Sequence, residues 1–274
     1  MQLTIPKKHL ATKALLLGGL LLLCGCTSDH SGKKETTFVK NLSYTVKAAY
    51  PHRPTAFSQG LYYEDGKLYE STGLYGESSV AILDLKSGKT LSEISLDDSL
   101  FGEGLTKAGN QLIQLTWKAG KVFRYNSETL ELVQTQKIQG EGWGITTFED
   151  ELVSSSGSST LVFRDSETLE AKRELTVTFA GRPLARLNEL DTAHGYILAN
   201  VFESRNLLFI NPENGQVAAS IDLGPLLERE RSKYGMRNPG NVVNGVAFRA
   251  DNGHLLVTGK RWHTVYEIAL DALP

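Results

Sequence analysis

Three short runs recur along the chain in a fixed order. The first unit reads Gly60-Leu61-Tyr62-Tyr63, then Lys67-Leu68-Tyr69-Glu70-Ser71, then Ser79-Val80-Ala81-Ile82-Leu83-Asp84. Each run is rich in aromatic and β-branched residues, too short for a helix and bounded by turn residues, so each predicts a strand. Copies begin at Gly104, Gly144, Glu189 and Gly245, so successive starts are 44, 40, 45 and 56 residues apart. The third strands of those copies fall at Lys121–Tyr125, Thr160–Arg164, Asn206–Ile210 and Thr264–Ile268. Turn signals separate first from second strands at Glu64-Asp65-Gly66, Ala108-Gly109-Asn110, Glu149-Asp150, Ala193-His194-Gly195 and Asp251-Asn252-Gly253. A period in the forties built from short strands is the mark of a propeller blade, so five copies predict an all-β, five-bladed β-propeller. The last copy stops at Leu270 after three strands, while Leu42 to Tyr50 is strand-like and precedes the first copy. That N-terminal strand is predicted to complete the last blade and close the ring into one cooperative unit. Helical periodicity is confined to Leu226–Tyr234, read as a short helix in an insertion before blade five.

Repetition says which distant residues meet. A residue just before the innermost strand of each blade faces its counterparts around the axis, and here those residues are Gln59, Glu103, Trp143, Asn188 and Asn244. A purely structural repeat would carry similar small or apolar residues there; one carboxylate, three amides and an indole suggest a site. About thirteen residues later a second ring brings Trp117, Phe202 and Lys260 to the same mouth, and Phe57 extends it. A carboxylate among amides and aromatic walls is desolvated, which raises its pKa and lets it pass a proton either way near neutrality. Glu103 is therefore the candidate acid/base. Gln59, Asn188 and Lys260 offer N–H donors for a carbonyl and its developing oxyanion, and Trp117, Trp143 and Phe202 form a water-excluding slot. Taken singly each has a plainer role: Glu103 a solvated turn residue, the aromatics inter-blade packing, the asparagines turn caps, Lys260 a surface charge. Only their common ring position argues otherwise.

Of the 274 residues, 41% are hydrophobic and 22% charged, with 29 Lys plus Arg against 31 Asp plus Glu. With no basic excess to neutralise a phosphate backbone, nucleic acid is not an expected partner. Lys7, Lys8 and Lys13 precede an unbroken Ala, Leu and Gly run from Ala14 to Leu23 without an acidic residue, the pattern of a signal peptide. Ten such residues make a helix of only about 15 Å, roughly half a bilayer core. The following Leu23-Cys24-Gly25-Cys26 resembles the bacterial lipobox, with Cys26 as the lipidated new N-terminus. Cleavage leaves 26 basic and 31 acidic residues and a single acylated cysteine, so no internal disulfide forms. The expected organisation is a leader over 1–25, a polar tether over 26–40 and a catalytic propeller over 41–274. Together these features predict an exported, monomeric lipoprotein held to a membrane of the bacterial cell envelope, facing the periplasm in a Gram-negative cell.

Seven motifs in blade order carry a family resemblance: Phe57-Ser58-Gln59-Gly60-Leu61, Glu70-Ser71-Thr72-Gly73-Leu74-Tyr75-Gly76, Phe101-Gly102-Glu103-Gly104-Leu105-Thr106, Gln114-Leu115-Thr116-Trp117, Gly142-Trp143-Gly144, Leu187-Asn188-Glu189-Leu190 and Thr258-Gly259-Lys260. Over about residues 42–270 the chain resembles the glutaminyl cyclases (glutaminyl-peptide cyclotransferases) of plant and bacterial type. The resemblance implies a five-bladed propeller, distinct from the zinc-dependent animal enzymes. It implies cyclisation of an N-terminal glutaminyl residue of a peptide or protein to pyroglutamate, with loss of ammonia and without metal or other cofactor. Glu103 falls on the family's acid/base, and Phe57, Gln59, Trp117, Trp143, Asn188 and Lys260 on its pocket residues. Phe202 departs: the family pattern usually has Trp there, so an aromatic wall remains and an N–H donor is lost.

Two other readings are compatible with a propeller. In a calcium-dependent lactonase Glu103, Asn188 and Asn244 would ligate the ion, although the ring lacks a second carboxylate and Lys260 opposes a cation. In a non-catalytic lipoprotein scaffold the propeller face would bind a partner. No HExxH or paired-histidine spacing, nucleophile elbow, P-loop or dinucleotide fingerprint occurs.

Overall fold

In the computed structural model the structure describes residues 39–274. Cys26, the expected leader and the expected tether up to residue 38 lie outside them. Within the described residues the repeat becomes five successive four-stranded antiparallel sheets. The innermost strands are Ser58–Glu64, Gly102–Ala108, Ile145–Phe148, Leu187–Ala193 and Val243–Arg249. Their hairpin partners are Lys67–Thr72, Gln111–Thr116, Glu151–Ser154, Tyr196–Val201 and His254–Gly259. Asp65 (φ 48°) and Gly66 (φ 78°) both take the left-handed conformation that a two-residue hairpin turn requires, as do His194 and Gly195.

Central strands are buried on both faces, as in Ser79–Asp84, where Val80 to Leu83 are all at most 3% exposed. Fourth strands such as Thr90–Ser95 are largely exposed and correspondingly polar. The buried apolar residues fall into five clusters, one between each pair of neighbouring blades, including the pair of blades five and one. Burial is thus supplied by the next blade rather than within a blade.

Closure follows the sequence expectation. Tyr44–Pro51 pairs antiparallel with Thr264–Leu270, from Tyr44 opposite Leu270 to Pro51 opposite Thr264, and completes blade five. An unexpected segment precedes it: Lys40–Leu42 pairs in parallel with Val217–Asp222 and adds a fifth strand to blade four. Lys40, the last residue of the expected tether, is therefore already in a sheet, and the N-terminal segment joins two blades. The expected helix spans Gly224–Tyr234 (α1), with Pro225 in its first turn and Gly235 ending it at φ 66°. Its buried Glu230 accepts hydrogen bonds from Tyr266 Oη (2.7 Å) and His263 N–H (2.9 Å), tying the insertion to blade five next to Lys260.

At the hub the innermost strands touch one another in cyclic order. The approach is so close that a Cβ at Gly60 would overlap Leu105 N, and one at Gly144 would overlap the Asn188 carbonyl oxygen. Blade four departs, carrying Glu189 where the others have Gly60, Gly104, Gly144 and Gly245. Its carboxylate fills the hub, accepting the Leu61 N–H (3.2 Å) and the Val246 N–H (3.0 Å) of blades one and five. Burial, with Asp191 nearby, pushes the Glu189 carboxyl well above the usual range, and burial lifts Asp191 to about 7.

The sequence expectation located the ring residues just before the innermost strands. Four of them lie inside those strands, at β-bulges: the register slips between Ser58 and Gly60, Gly102 and Leu105, Leu187 and Leu190, and Val243 and Val246. An extra residue breaks the alternation and re-aims the side chain, which is how Gln59, Glu103, Asn188 and Asn244 gather at one end of the hub. Trp143 alone precedes its strand.

Candidate active site

One cavity of about 370 Å³ opens at that end. All eight pocket residues anticipated from the sequence line it: Gln59, Glu103, Trp143 and Asn188 from the inner ring, Trp117, Phe202 and Lys260 from the ends of second strands, and Phe57 from the entry to blade one. Leu74 and Phe101 complete the wall. Both belong to motifs quoted above, yet neither occupies a ring position, so repetition gave them no role. Leu74 sits at φ 87° in the Gly73–Gly76 turn. Phe101 packs edge-on against Phe57, Tyr75 and Trp117. Blade one has Gly73 where blade two has Trp117, and a Cβ there would collide with the Phe101 ring.

Glu103 is 5% exposed and Lys260 4%. Burial raises the Glu103 carboxyl well above the usual carboxylate range, with Lys260 opposing and Glu141 adding to the rise. Burial also lowers Lys260, to about 8, against the attraction of Glu103. Both shifts follow from burial of the charged forms, and the attraction between carboxylate and ammonium opposes each of them. The ammonium stands 4.6 Å from the Phe57 ring centroid and 5.1 Å from that of Phe202, so two π-faces replace part of its lost hydration. Phe202, which lacks the indole N–H of the family pattern, thus retains the face that Lys260 uses.

Sequence reasoning missed Glu141. One of its oxygens accepts from both indoles, Trp117 Nε1 at 2.8 Å and Trp143 Nε1 at 3.0 Å, and so sets the angle between two walls. Trp143 in turn meets Phe202 edge-to-face at 5.8 Å. The one available signal was a lone acid between glycines, Gly140-Glu141-Gly142, immediately before Trp143. Another buried carboxylate anchors the entry to blade one: Glu70, fully buried, lies 2.8 Å from His52 Nε2 and accepts from Arg53 Nη2 (2.9 Å) and Ser58 Oγ (2.6 Å). These partners hold its pKa down at about 2 and fix the 52–58 segment that presents Phe57.

Asn244 does not line the cavity. Its Nδ2 donates to the Ser58 carbonyl (2.9 Å) and to Gln59 Oε1 (3.2 Å), and its Oδ1 accepts from Asn188 Nδ2 (3.0 Å). The calcium trio of Glu103, Asn188 and Asn244 is therefore not assembled: the Asn244 oxygen is already engaged, and Lys260 occupies the cavity. Among the described residues no three His, Cys, Asp or Glu side chains come together as a metal site.

Glu141→Ala is expected to move the Glu103 titration to lower pH, because a neighbouring negative charge is removed, and to red-shift the tryptophan emission as both indoles lose their anchor. An unchanged titration and spectrum would contradict the double clamp.

Comparison with known proteins agrees with this geometry. A family model described as glutamine cyclotransferase matches residues 19–270. Glutaminyl-peptide cyclotransferase of Arabidopsis thaliana is 39% identical over 227 residues, covering 82% of this chain and 70% of that protein. The crystal structure of Myxococcus xanthus glutaminyl cyclase superposes with a TM-score of 0.81 at 31% identity, covering 86% of this chain and all of that one. The five blades, the hub cavity and these matches together make the chain a member of the glutamine cyclotransferase family, a family of acyltransferases.

Proposed function

We propose that this chain converts an N-terminal glutaminyl residue of a peptide or protein to pyroglutamate with release of ammonia, and that Glu103 carries the protons. The observation that carries the assignment is a buried carboxyl of raised pKa in an aromatic cavity with an ammonium beside it. The substrate holds both reactants, so the enzyme's task is to hold a bent conformer and exclude water. The uncharged α-amine attacks the side-chain carbonyl carbon, and the oxyanion forms within reach of the Gln59 amide N–H and the Lys260 ammonium. The Glu103 carboxyl gives its proton to the departing nitrogen and takes one from the new ring nitrogen, so the C–N bond breaks as ammonia and the carboxyl ends as it began. Trp117 and Trp143 flank the planar amide. Every step uses side chains of this chain, and none is assigned to a metal.

Protein spanning residues 27–274 is expected to release ammonia from a Gln-initiated peptide. An Asn-initiated peptide, whose attack would close a four-membered ring, and an acetyl-Gln peptide, whose amine is blocked, should release none. Glu103→Gln keeps the shape but cannot shuttle a proton, and is expected to cost at least about 100-fold in turnover with an unchanged unfolding midpoint. Near-normal turnover in that variant would refute the assignment.

The proposal includes export as a monomer with a lipid on Cys26, supported by the basic leader, its short apolar run and the cysteine that follows. Cys26→Ser is expected to shift the protein from the membrane to the soluble fraction; an unaltered partition would count against the anchor.

A further inference from the structure

Asn244 lies behind the cavity, yet its hydrogen bonds dictate which atoms two pocket amides turn toward a ligand. A main-chain carbonyl has no hydrogen to give, so the Ser58 oxygen compels Asn244 to present its nitrogen (2.9 Å). The Asn244 oxygen then faces Asn188, which must answer with nitrogen (3.0 Å). The second N–H of Asn244 meets Gln59 and requires its oxygen (3.2 Å). What remains, without a partner among the described residues, is the Gln59 Nε2 and the Asn188 Oδ1, the latter buried. Turning either amide over would set oxygen against oxygen or nitrogen against nitrogen.

We propose that Asn244 is a positioning residue that makes the pocket specific for a primary carboxamide, by fixing Gln59 as the donor and Asn188 as the acceptor. The inference rests on the cyclotransferase reading above and adds what the pocket selects. A primary carboxamide is the complement of this pair: its oxygen accepts from Gln59 and its NH2 donates to Asn188. An ionised carboxylate brings oxygen to both positions and leaves Asn188 facing a like partner, so a glutamyl residue is rejected by repulsion as well as by missing attraction. Asn188, expected from the sequence to be an oxyanion donor, in this reading accepts a hydrogen bond from the leaving nitrogen instead.

The test uses two peptides with the same body and no α-amine, so neither reacts. One begins with a 4-carbamoylbutanoyl group, the other with a 5-oxohexanoyl group, in which a methyl replaces the amide nitrogen at the same shape. Calorimetric titration of the wild-type protein is expected to show the amide binding about tenfold tighter, the worth of one hydrogen bond to an otherwise unsatisfied acceptor. In Asn244→Leu the ratio is expected to fall to about twofold or less, since a freed Asn188 no longer holds its oxygen toward the amide nitrogen; a generally weakened fold would lower both affinities together. Equal affinities in the wild type, no binding of either peptide, or a ratio that survives in Asn244→Leu overturns the proposal. The wild-type arm decides even if the variant does not fold. Ammonia release is measured separately, so loss of the cyclotransferase reading and loss of the amide-polarity reading are distinct results.

Discussion

Main chain meets main chain where blades one to four adjoin at the hub of this propeller, with no room for a side chain at Gly60, Gly104 or Gly144. A Cβ at Gly104 would stand 2.7 Å from the Gly144 Cα, and at Gly60 and Gly144 the overlap is worse. That approach draws five segments, the first and last some 185 residues apart in the Gln59 to Asn244 pair, onto one small ring. Each bulge that accompanies it turns a side chain toward the open end. The polar cost of bending five strands at once is met locally: Glu189 accepts two main-chain N–H groups, Ser155 Oγ accepts from Gly144 N and donates to the Asn188 carbonyl, and the Asn200 oxygen accepts from Gly245 N.

Chemistry follows from the same crowding. Because the hub is buried, Glu103 is pushed toward its neutral form and Lys260 toward its own, each opposed by the attraction between their charged forms. Aromatic rings take over part of the solvation of Lys260, while Glu141 at the rim keeps the indoles at a fixed angle. The reaction asks for little more, since both of its partners arrive on one residue of the substrate.

Much of this was legible in the sequence because a repeat converts position along the chain into position around an axis. The blade count, the closing strand and seven of the eight pocket residues follow from that conversion, and the helix before blade five from its own periodicity. What stayed hidden has no period. Lys40–Leu42 is three residues long and pairs by main-chain hydrogen bonds that any residues can make. The bulges shift alternation by one and leave no compositional trace, so ring residues were expected outside the strands that contain them. Glu141, the His52–Glu70 pair and Leu74 act across loops, where spacing carries no geometric meaning. Asn244 was found by its ring position, but its task lies in the direction of its hydrogen bonds, which no sequence pattern encodes.

Hub contact between main chains, rather than local sequence, assembles the site. Gly144→Ala changes one hydrogen to a methyl at a residue that does not line the cavity, where it must displace the Asn188 carbonyl. Urea unfolding and ammonia release on this variant test the claim together. The expected result is a destabilisation of at least about 1 kcal/mol from overpacking and a loss of turnover larger than the loss of folded protein. A wild-type unfolding midpoint with wild-type turnover would contradict it.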